Sequence, residues 1–102
     1  IDAGLCHGAA SVCMMFHYVY MQTGEKRFEE TRDYWLDGTL ELGNMEGGLA
    51  GYKAWHTAEY GGWVNEYGLL EGVAGIGTML LMLLTNDFQQ IKWLDFFMLN
   101  SL

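Results

Sequence analysis

The sequence predicts an all-α fold made of two helical hairpins. Two segments, 9–22 and 72–85, are apolar nearly all round, which is typical of helices that other parts of a protein enclose. Each is followed by a segment in which polar and apolar residues alternate with a helical period, as in a helix with one face in water. The order of enclosed helix and exposed helix thus occurs twice, which indicates an internal repeat.

The first hairpin is expected over about residues 8–42. Its inner helix has few clearly polar side chains, and Thr23-Gly24 supplies a glycine of the kind that ends helices. Its outer helix, from about residue 25, combines an apolar stripe with an opposite charged face. The charged face comprises Lys26, Arg27, Glu29, Glu30, Arg32 and Asp33. This helix is therefore expected to separate the inner helix from water.

The segment 43–68 is rich in glycine and in aromatic residues, and it shows no helical period. Its aromatic residues are Tyr52, Trp55, Tyr60, Trp63 and Tyr67. Such side chains need a place to pack, which argues against disorder, and a loop of this length inside a domain is usually functional. We expect an ordered, irregular segment with a short helical turn or a small hairpin.

The second hairpin is expected over about residues 69–100, with Asn86-Asp87 as the start signal of its outer helix. The seven residues Gly4–Ala10 align with Gly68–Ala74 at an offset of 64 and share the frame Gly-Leu-x-x-Gly-x-Ala. Glycine at these places allows a helix start to approach its neighbours closely. Repeated pairs of one buried and one exposed helix build a closed α/α toroid. Two pairs make an incomplete ring, so we expect the chain to be part of a larger domain.

The net charge and the apolar content of the chain exclude some classes of binding partner. The 5 basic and 13 acidic residues give a net charge of -8, which repels nucleic acid and anionic membrane surfaces alike. The uncharged stretch 72–86 spans 15 residues, short of the ~20 that a membrane-spanning helix needs. With 51% apolar residues in a chain of 102, some side chains are expected to pack against further protein. Neither nucleic acid nor a membrane is an expected partner.

The cysteines indicate a compartment. Cys6 and Cys13 are seven residues apart, which in a helix separates their Cα atoms by about 10 Å. This distance is too long for a disulfide. Two unpaired thiols favour a reducing compartment, and we expect a cytoplasmic protein.

Cys6 and His7 lie side by side at the predicted start of the first inner helix. A thiolate and an imidazole are donors that zinc accepts, and the positive end of a helix lowers the pKa of a cysteine there. The second copy has Leu70-Glu71 at these positions, so the scaffold does not require a cysteine and a histidine. A buried thiol beside a histidine bonded to a carbonyl is the alternative, and the residues alone leave both interpretations open.

Several motifs together carry a resemblance to a known family. In chain order they are Gly4–Ala10, Thr23-Gly24, Trp35-Leu36-Asp37, Ala50-Gly51-Tyr52 and Leu69–Gly77. This series closely resembles the C-terminal end of the lanthionine synthetase C-like (LanC-like) cyclases, along nearly the whole chain. One departure is Ser11, where the family usually has glycine.

The resemblance implies a single LanC-like α/α toroid of which residues 1–102 are the C-terminal part, and the remainder of that domain is an expected partner. It also implies one zinc ion bound by two cysteines and one histidine, with the fourth position open. Cys6 and His7 match the second cysteine and the histidine, whereas the first cysteine lies upstream. The acid and base groups of the family also lie upstream, so no catalytic residue is assigned within this chain.

The implied activity is the zinc-dependent closure of thioether rings in lanthipeptide (lantibiotic) biosynthesis. The thiolate of a cysteine in a dehydrated precursor peptide adds to a dehydroalanine or dehydrobutyrine of the same peptide. Residues 1–102 alone are expected to be inactive. A LanC-like protein that binds thiols or peptides without cyclising them is the alternative. His56 is a candidate for lining the peptide groove, against the alternative of a surface or packing histidine.

Overall fold

The computed structural model describes residues 2–5, 8–69 and 72–84. Its elements, in chain order, are α1 (Ala9–Thr23), α2 (Lys26–Glu41), β1 (Ala54–Trp55), a 3-10 turn (Ala58–Tyr60), β2 (Trp63–Val64) and α3 (Val73–Leu83). The predicted all-α class is confirmed. Closure into a toroid and the division at 8–42, 43–68 and 69–100 stay predictions, and the outer helix of the second hairpin lies outside the described residues.

Helices α1 and α2 pack side by side as a hairpin. The chain leaves α1 at Gly24, where φ is 70°, a left-handed conformation that glycine adopts without strain. The Gly24 N–H donates a hydrogen bond of 2.7 Å to the Tyr20 carbonyl, which satisfies one of the carbonyls left free at the end of the helix. The predicted end of the first inner helix at Thr23-Gly24 is therefore confirmed.

The core lies between α1, α3 and the residues that precede α1. Its fully or almost fully buried members are Ala3, Leu5, Ala10, Cys13, Met14, Ile76 and Met79. Helix α2 covers this core with partly buried side chains that include Trp35 and Leu36. Within the part of the chain that the structure describes, no helix combines the length and the apolar character needed to cross a membrane.

The charged face predicted for α2 is wrong at one residue, Arg32. Its side chain is 14% exposed and forms an ion pair of 2.8 Å with Asp33. Its guanidinium also lies 3.0 Å from Nδ1 of the buried His17. The helical period places Arg32 near the border of the apolar stripe, and the side chain of an arginine is long enough for its charged head to reach a polar partner from there.

The segment 43–68 is ordered, as predicted, and it contains both a small hairpin and a short helical turn. Strands β1 and β2 pair antiparallel, with Ala54 opposite Val64 and Trp55 opposite Trp63. The segment is fixed to α2 because the Tyr52 hydroxyl donates a hydrogen bond of 2.9 Å to the Thr39 carbonyl. Ala54 is buried, so the face of the hairpin that carries Ala54 packs against the rest of the protein.

Candidate functional site

Helices α1 and α3 each begin with a compact turn of the same construction. We call residues 2–10 the first entrance and residues 66–74 the second entrance. The first is closed by hydrogen bonds from Gly8 N to Gly4 O (2.8 Å), Ala9 N to Asp2 O (2.8 Å) and Ala10 N to Ala3 O (3.2 Å). The second is closed by bonds from Gly72 N to Gly68 O (3.1 Å), Val73 N to Glu66 O (3.0 Å) and Ala74 N to Tyr67 O (3.3 Å). Each bond of the first recurs 64 residues later, so the predicted repeat is present in the backbone.

Gly8 and Gly72 are the positions where each entrance requires a residue without Cβ. Both have extended backbone, with φ of -99° and -114°, so the requirement does not come from a left-handed conformation. A Cβ at Gly8 would overlap the backbone of Gly4 and Asp2, and one at Gly72 would overlap the backbone of Gly68 and Glu66. The close approach predicted for these glycines is therefore confirmed.

Cys6 and His7, the predicted metal ligands, lie outside the described residues. By sequence they occupy the span between Leu5 and Gly8, whose two ends are buried. Their donor chemistry, a thiol and an imidazole, fits zinc. Within residues 2–5, 8–69 and 72–84, no three His, Cys, Asp or Glu side chains are close enough to hold a metal ion. The ligand role of Cys6 and His7 therefore stays a prediction.

Asp2 connects the first entrance to the hairpin. Its Oδ1 accepts a hydrogen bond of 3.0 Å from the Gly4 N–H, and its Oδ2 accepts one of 2.8 Å from the Trp55 N–H. Sequence reasoning missed this residue. The signal that could have found it is the repeat itself, because extending the aligned frame two residues upstream pairs Asp2 with Glu66, an acid in both copies.

His56 lies next to the second entrance. Its Nε2 is 3.2 Å from Oε1 of Glu66, and its backbone N–H donates a hydrogen bond of 2.7 Å to the Gly62 carbonyl across the hairpin. The neighbouring Trp55 packs edge-on against Trp63, with ring centroids 5.3 Å apart, and half of the Trp55 surface is exposed. The hairpin thus contacts both entrances, the first through Trp55 and the second through His56. A role for His56 in binding peptide stays a prediction.

These observations agree with the comparison with known protein families. The model of the family described as lanthionine synthetase C-like protein matches residues 1–98. The chain belongs to the LanC-like family. No curated protein and no solved structure gave a match. The predicted resemblance is confirmed, and the entrances are therefore part of a LanC-like domain.

Cys13 of this LanC-like chain is a core residue. It is 0% exposed, and burial raises the pKa of its thiol to about 12. Its Sγ lies 3.8 Å from Sδ of Met79 in the core. Since the thiolate is the nucleophile and the metal ligand, a thiol that stays protonated at neutral pH is suited to neither role.

His17 is a buried neutral histidine one turn further along α1. Burial, and after it the charge of Arg32, lowers the pKa of His17 to about 4. Because the Arg32 guanidinium donates to Nδ1, the ring proton is on Nε2. That atom is buried and has no hydrogen-bond partner among the described residues. His17 therefore links α1 to α2 as an uncharged acceptor.

A cavity of about 420 Å³ lies beside the first entrance, between the start of α1 and the second half of α2. Its lining residues are Ala9, Tyr34, Trp35, Asp37, Gly38, Glu41 and Leu42. Two aromatic rings and two carboxylates make its wall suitable for a cationic or apolar side chain. The sequence did not predict this cavity.

Proposed function

We propose that this LanC-like chain is the C-terminal part of a zinc-dependent lanthionine cyclase that acts on a dehydrated precursor peptide. The observation that carries the proposal is the pair of entrances. They share one hydrogen-bonding pattern, yet the first has Cys6-His7 where the second has Leu70-Glu71. Since the second entrance forms without a cysteine and a histidine, the fold does not need them, which supports a chemical role.

The proposed metal centre uses Cys6 and His7 as two protein ligands, with the third, a cysteine, upstream. Three protein ligands and one open position are typical of a catalytic zinc. Zinc in such a site would hold the thiol of a peptide cysteine as a thiolate at neutral pH. The contribution of this chain is to supply both donors, which by sequence lie between Gly4 and Gly8. These two glycines are joined by a hydrogen bond from the Gly8 N–H to the Gly4 carbonyl.

The proposed reaction is an addition within one peptide. The sulfur of a cysteine forms a bond to the β-carbon of a dehydroalanine or dehydrobutyrine, and the α-carbon takes up a proton to replace the one that the thiol gave up. The product is an isomer of the substrate, so the mass does not change while one free thiol disappears. The precursor peptide and the remainder of the LanC-like domain are therefore the proposed partners.

A LanC-like protein that binds thiols or peptides without cyclising them is the second candidate. The hairpin favours it as a surface for a peptide, because Trp55 is 51% and Tyr60 is 72% exposed. Exposed aromatic rings provide contact area at low entropic cost. His56 is the residue of the hairpin that we propose contacts the peptide in either case.

The test uses the full-length protein and a synthetic peptide with one cysteine and one dehydroalanine. Free thiols are counted by alkylation and mass spectrometry, against the rate without protein. A cyclase removes the alkylatable thiol without a change in peptide mass, and Cys6→Ala or His7→Ala abolishes the acceleration. Leu70→Ala, at the matched position of the second entrance, is the control and keeps it. Saturable peptide binding with no loss of thiol would overturn the cyclase proposal in favour of the second candidate.

A further inference from the structure

Asp2 makes three contacts that together fix the first entrance. Its carbonyl accepts the Ala9 N–H at 2.8 Å, at the start of α1. Its two carboxylate oxygens accept the N–H groups of Gly4, at 3.0 Å, and of Trp55, at 2.8 Å. Hydrogen bonds from N–H groups to a carboxylate are stronger than those between neutral groups. One residue therefore joins the turn, the helix and the hairpin.

The position of Trp55 in the hairpin explains what the bond to Asp2 does there. Strand β1 pairs with β2 in a sheet of two strands, and a strand at the edge of a sheet presents N–H groups that the sheet does not satisfy. Asp2 accepts the Trp55 N–H. The outer edge of strand β1 is therefore bonded to the first entrance. A shift of the hairpin or of the entrance would break this charge-assisted hydrogen bond.

Glu66 at the matched position of the second entrance makes a different contact. Its carbonyl accepts the Val73 N–H at 3.0 Å, as the Asp2 carbonyl accepts that of Ala9. Its carboxylate instead reaches the side chain of His56. The Asp2 carboxylate thus accepts hydrogen bonds from backbone N–H groups of both its own turn and the hairpin. The Glu66 carboxylate contacts the hairpin at the His56 side chain. The bridge to backbone occurs at the entrance that carries Cys6 and His7.

We propose that Asp2 is a positioning residue for Cys6 and His7. By holding the Gly4 and Trp55 N–H groups on one carboxylate, it fixes the residues next to the two donors in sequence relative to the hairpin, so zinc binding and order in the hairpin are coupled. This inference rests on the proposed function. Both oxygens of the Asp2 carboxylate accept hydrogen bonds from backbone N–H groups, and the role that we assign to it is to orient the ligands. Residues that orient metal ligands typically change metal affinity by 10- to 100-fold when they are replaced.

The test compares Asp2→Asn with Glu66→Gln in the full-length protein. Each substitution preserves shape and replaces one acceptor oxygen by a donor, and the two positions are equivalent in the repeat. The dissociation constant of zinc is measured by competition with a chromophoric chelator. Asp2→Asn is expected to weaken zinc binding about 10- to 100-fold, whereas Glu66→Gln changes it less than about twofold. Circular dichroism shows that both variants are folded.

Hydrogen exchange of the Trp55 amide tests the coupling without reference to activity. Adding zinc to the metal-free wild type is expected to slow this exchange, and in Asp2→Asn the same addition has little effect. Asp2→Glu keeps both acceptor oxygens and is expected to bind zinc more tightly than Asp2→Asn does. Comparing Asp2→Glu with Asp2→Asn separates the effect of losing the carboxylate from the effect of changing the residue at this position.

Three results would overturn the positioning role. The first is unchanged zinc affinity in Asp2→Asn, and the second is equal weakening by Asp2→Asn and Glu66→Gln, which would show a general loss of stability. The third is an Asp2→Glu variant that binds zinc no better than Asp2→Asn. A wild type that binds no zinc overturns the proposed function itself, so the two failures are distinguishable.

Discussion

The two entrances of this chain share a backbone and differ in the side chains that they carry. Both close with the same three backbone hydrogen bonds and both need a glycine before the helix. They differ at the third and fourth positions of the frame, Cys6-His7 against Leu70-Glu71, and in the contact of the preceding acid. The backbone of an entrance is therefore a scaffold that forms with different residues at the third and fourth positions of its frame.

The largest effect on stability is expected from a Cβ at the shared glycines. Gly8→Ala and Gly72→Ala are each expected to lower the free energy of unfolding by about 3 kcal/mol, because the added carbon overlaps backbone atoms rather than a flexible side chain. Urea unfolding of the full-length protein measures both.

Gly38→Ala is the control for this prediction. Gly38 lies within α2, and a Cβ there meets nothing within 4 Å, so we expect a gain of about 0.5–1 kcal/mol from helix propensity. A Gly8→Ala variant as stable as the wild type would show that the first entrance does not have the close approach described above. Unequal losses at Gly8 and Gly72 would show that the two scaffolds are not equivalent.

A smaller effect on stability is expected from protonation of His17. This residue is a difference between α1 and α3, the helices that follow the two entrances. Its counterpart 64 residues later is Leu81, which is 64% exposed, whereas His17 is fully buried. Burial lowers the pKa of His17 from its ordinary value of 6.5 to about 4 in the folded protein, so the unfolded state binds more protons between these two values. The stability that neutral His17 contributes is present above pH 6.5 and is lost as the pH falls towards 4.

We expect wild-type protein to lose about 2–3 kcal/mol over this window relative to His17→Gln, which cannot take up the proton and still offers an oxygen to Arg32. Urea unfolding of metal-free protein at pH 7 and pH 4.5 measures the difference. Leu81→Gln, at the exposed counterpart, should leave the pH dependence of the wild type intact. Parallel pH profiles for wild type and His17→Gln would contradict the account of a buried neutral histidine.

The smallest effect is expected where the ends of the two inner helices differ. Helix α1 ends at Gly24 with φ of 70°, whereas α3 ends at Leu84 with φ of -81°. Gly24→Ala forces a residue with a Cβ into the left-handed region and is expected to lower stability by about 1 kcal/mol. Leu84→Ala, at an end that is 79% exposed, should change it by less than about 0.5 kcal/mol. Equal changes in melting temperature for Gly24→Ala and Leu84→Ala would contradict the expected difference between the two helix ends.

Sequence alone predicted the parts of the molecule that follow from periodicity and spacing. The glycine frame at an offset of 64 predicted two equivalent entrances, and the pattern of apolar residues predicted α1 and α3. The resemblance to the LanC-like family, together with the donor chemistry of Cys6 and His7, predicted these two residues as metal ligands, a prediction that the described residues do not test. Each of these inferences uses a pattern within one short stretch of sequence, or the recurrence of such a pattern further along the chain.

The remainder depends on contacts between residues that are distant in the chain. The bond from Trp55 to Asp2 joins residues 53 positions apart, and no periodicity connects them. Strands of two residues are too short to show alternation, so glycine and aromatic content predicted order in 43–68 but not the register. For Arg32, the sequence pattern predicted an exposed charged side chain and gave no sign that its guanidinium reaches the buried His17.

The central claim is that Cys6 and His7 serve a metal and that the scaffold does not need them. Its most direct measurement is the zinc content of the full-length double variant Cys6→Leu/His7→Glu, in which the first entrance takes the side chains of the second. We predict that bound zinc falls from about one ion per chain to almost none, while the urea midpoint of metal-free protein stays that of the wild type. Zinc retained at one ion per chain, or a variant that unfolds without metal where the wild type does not, would contradict the account.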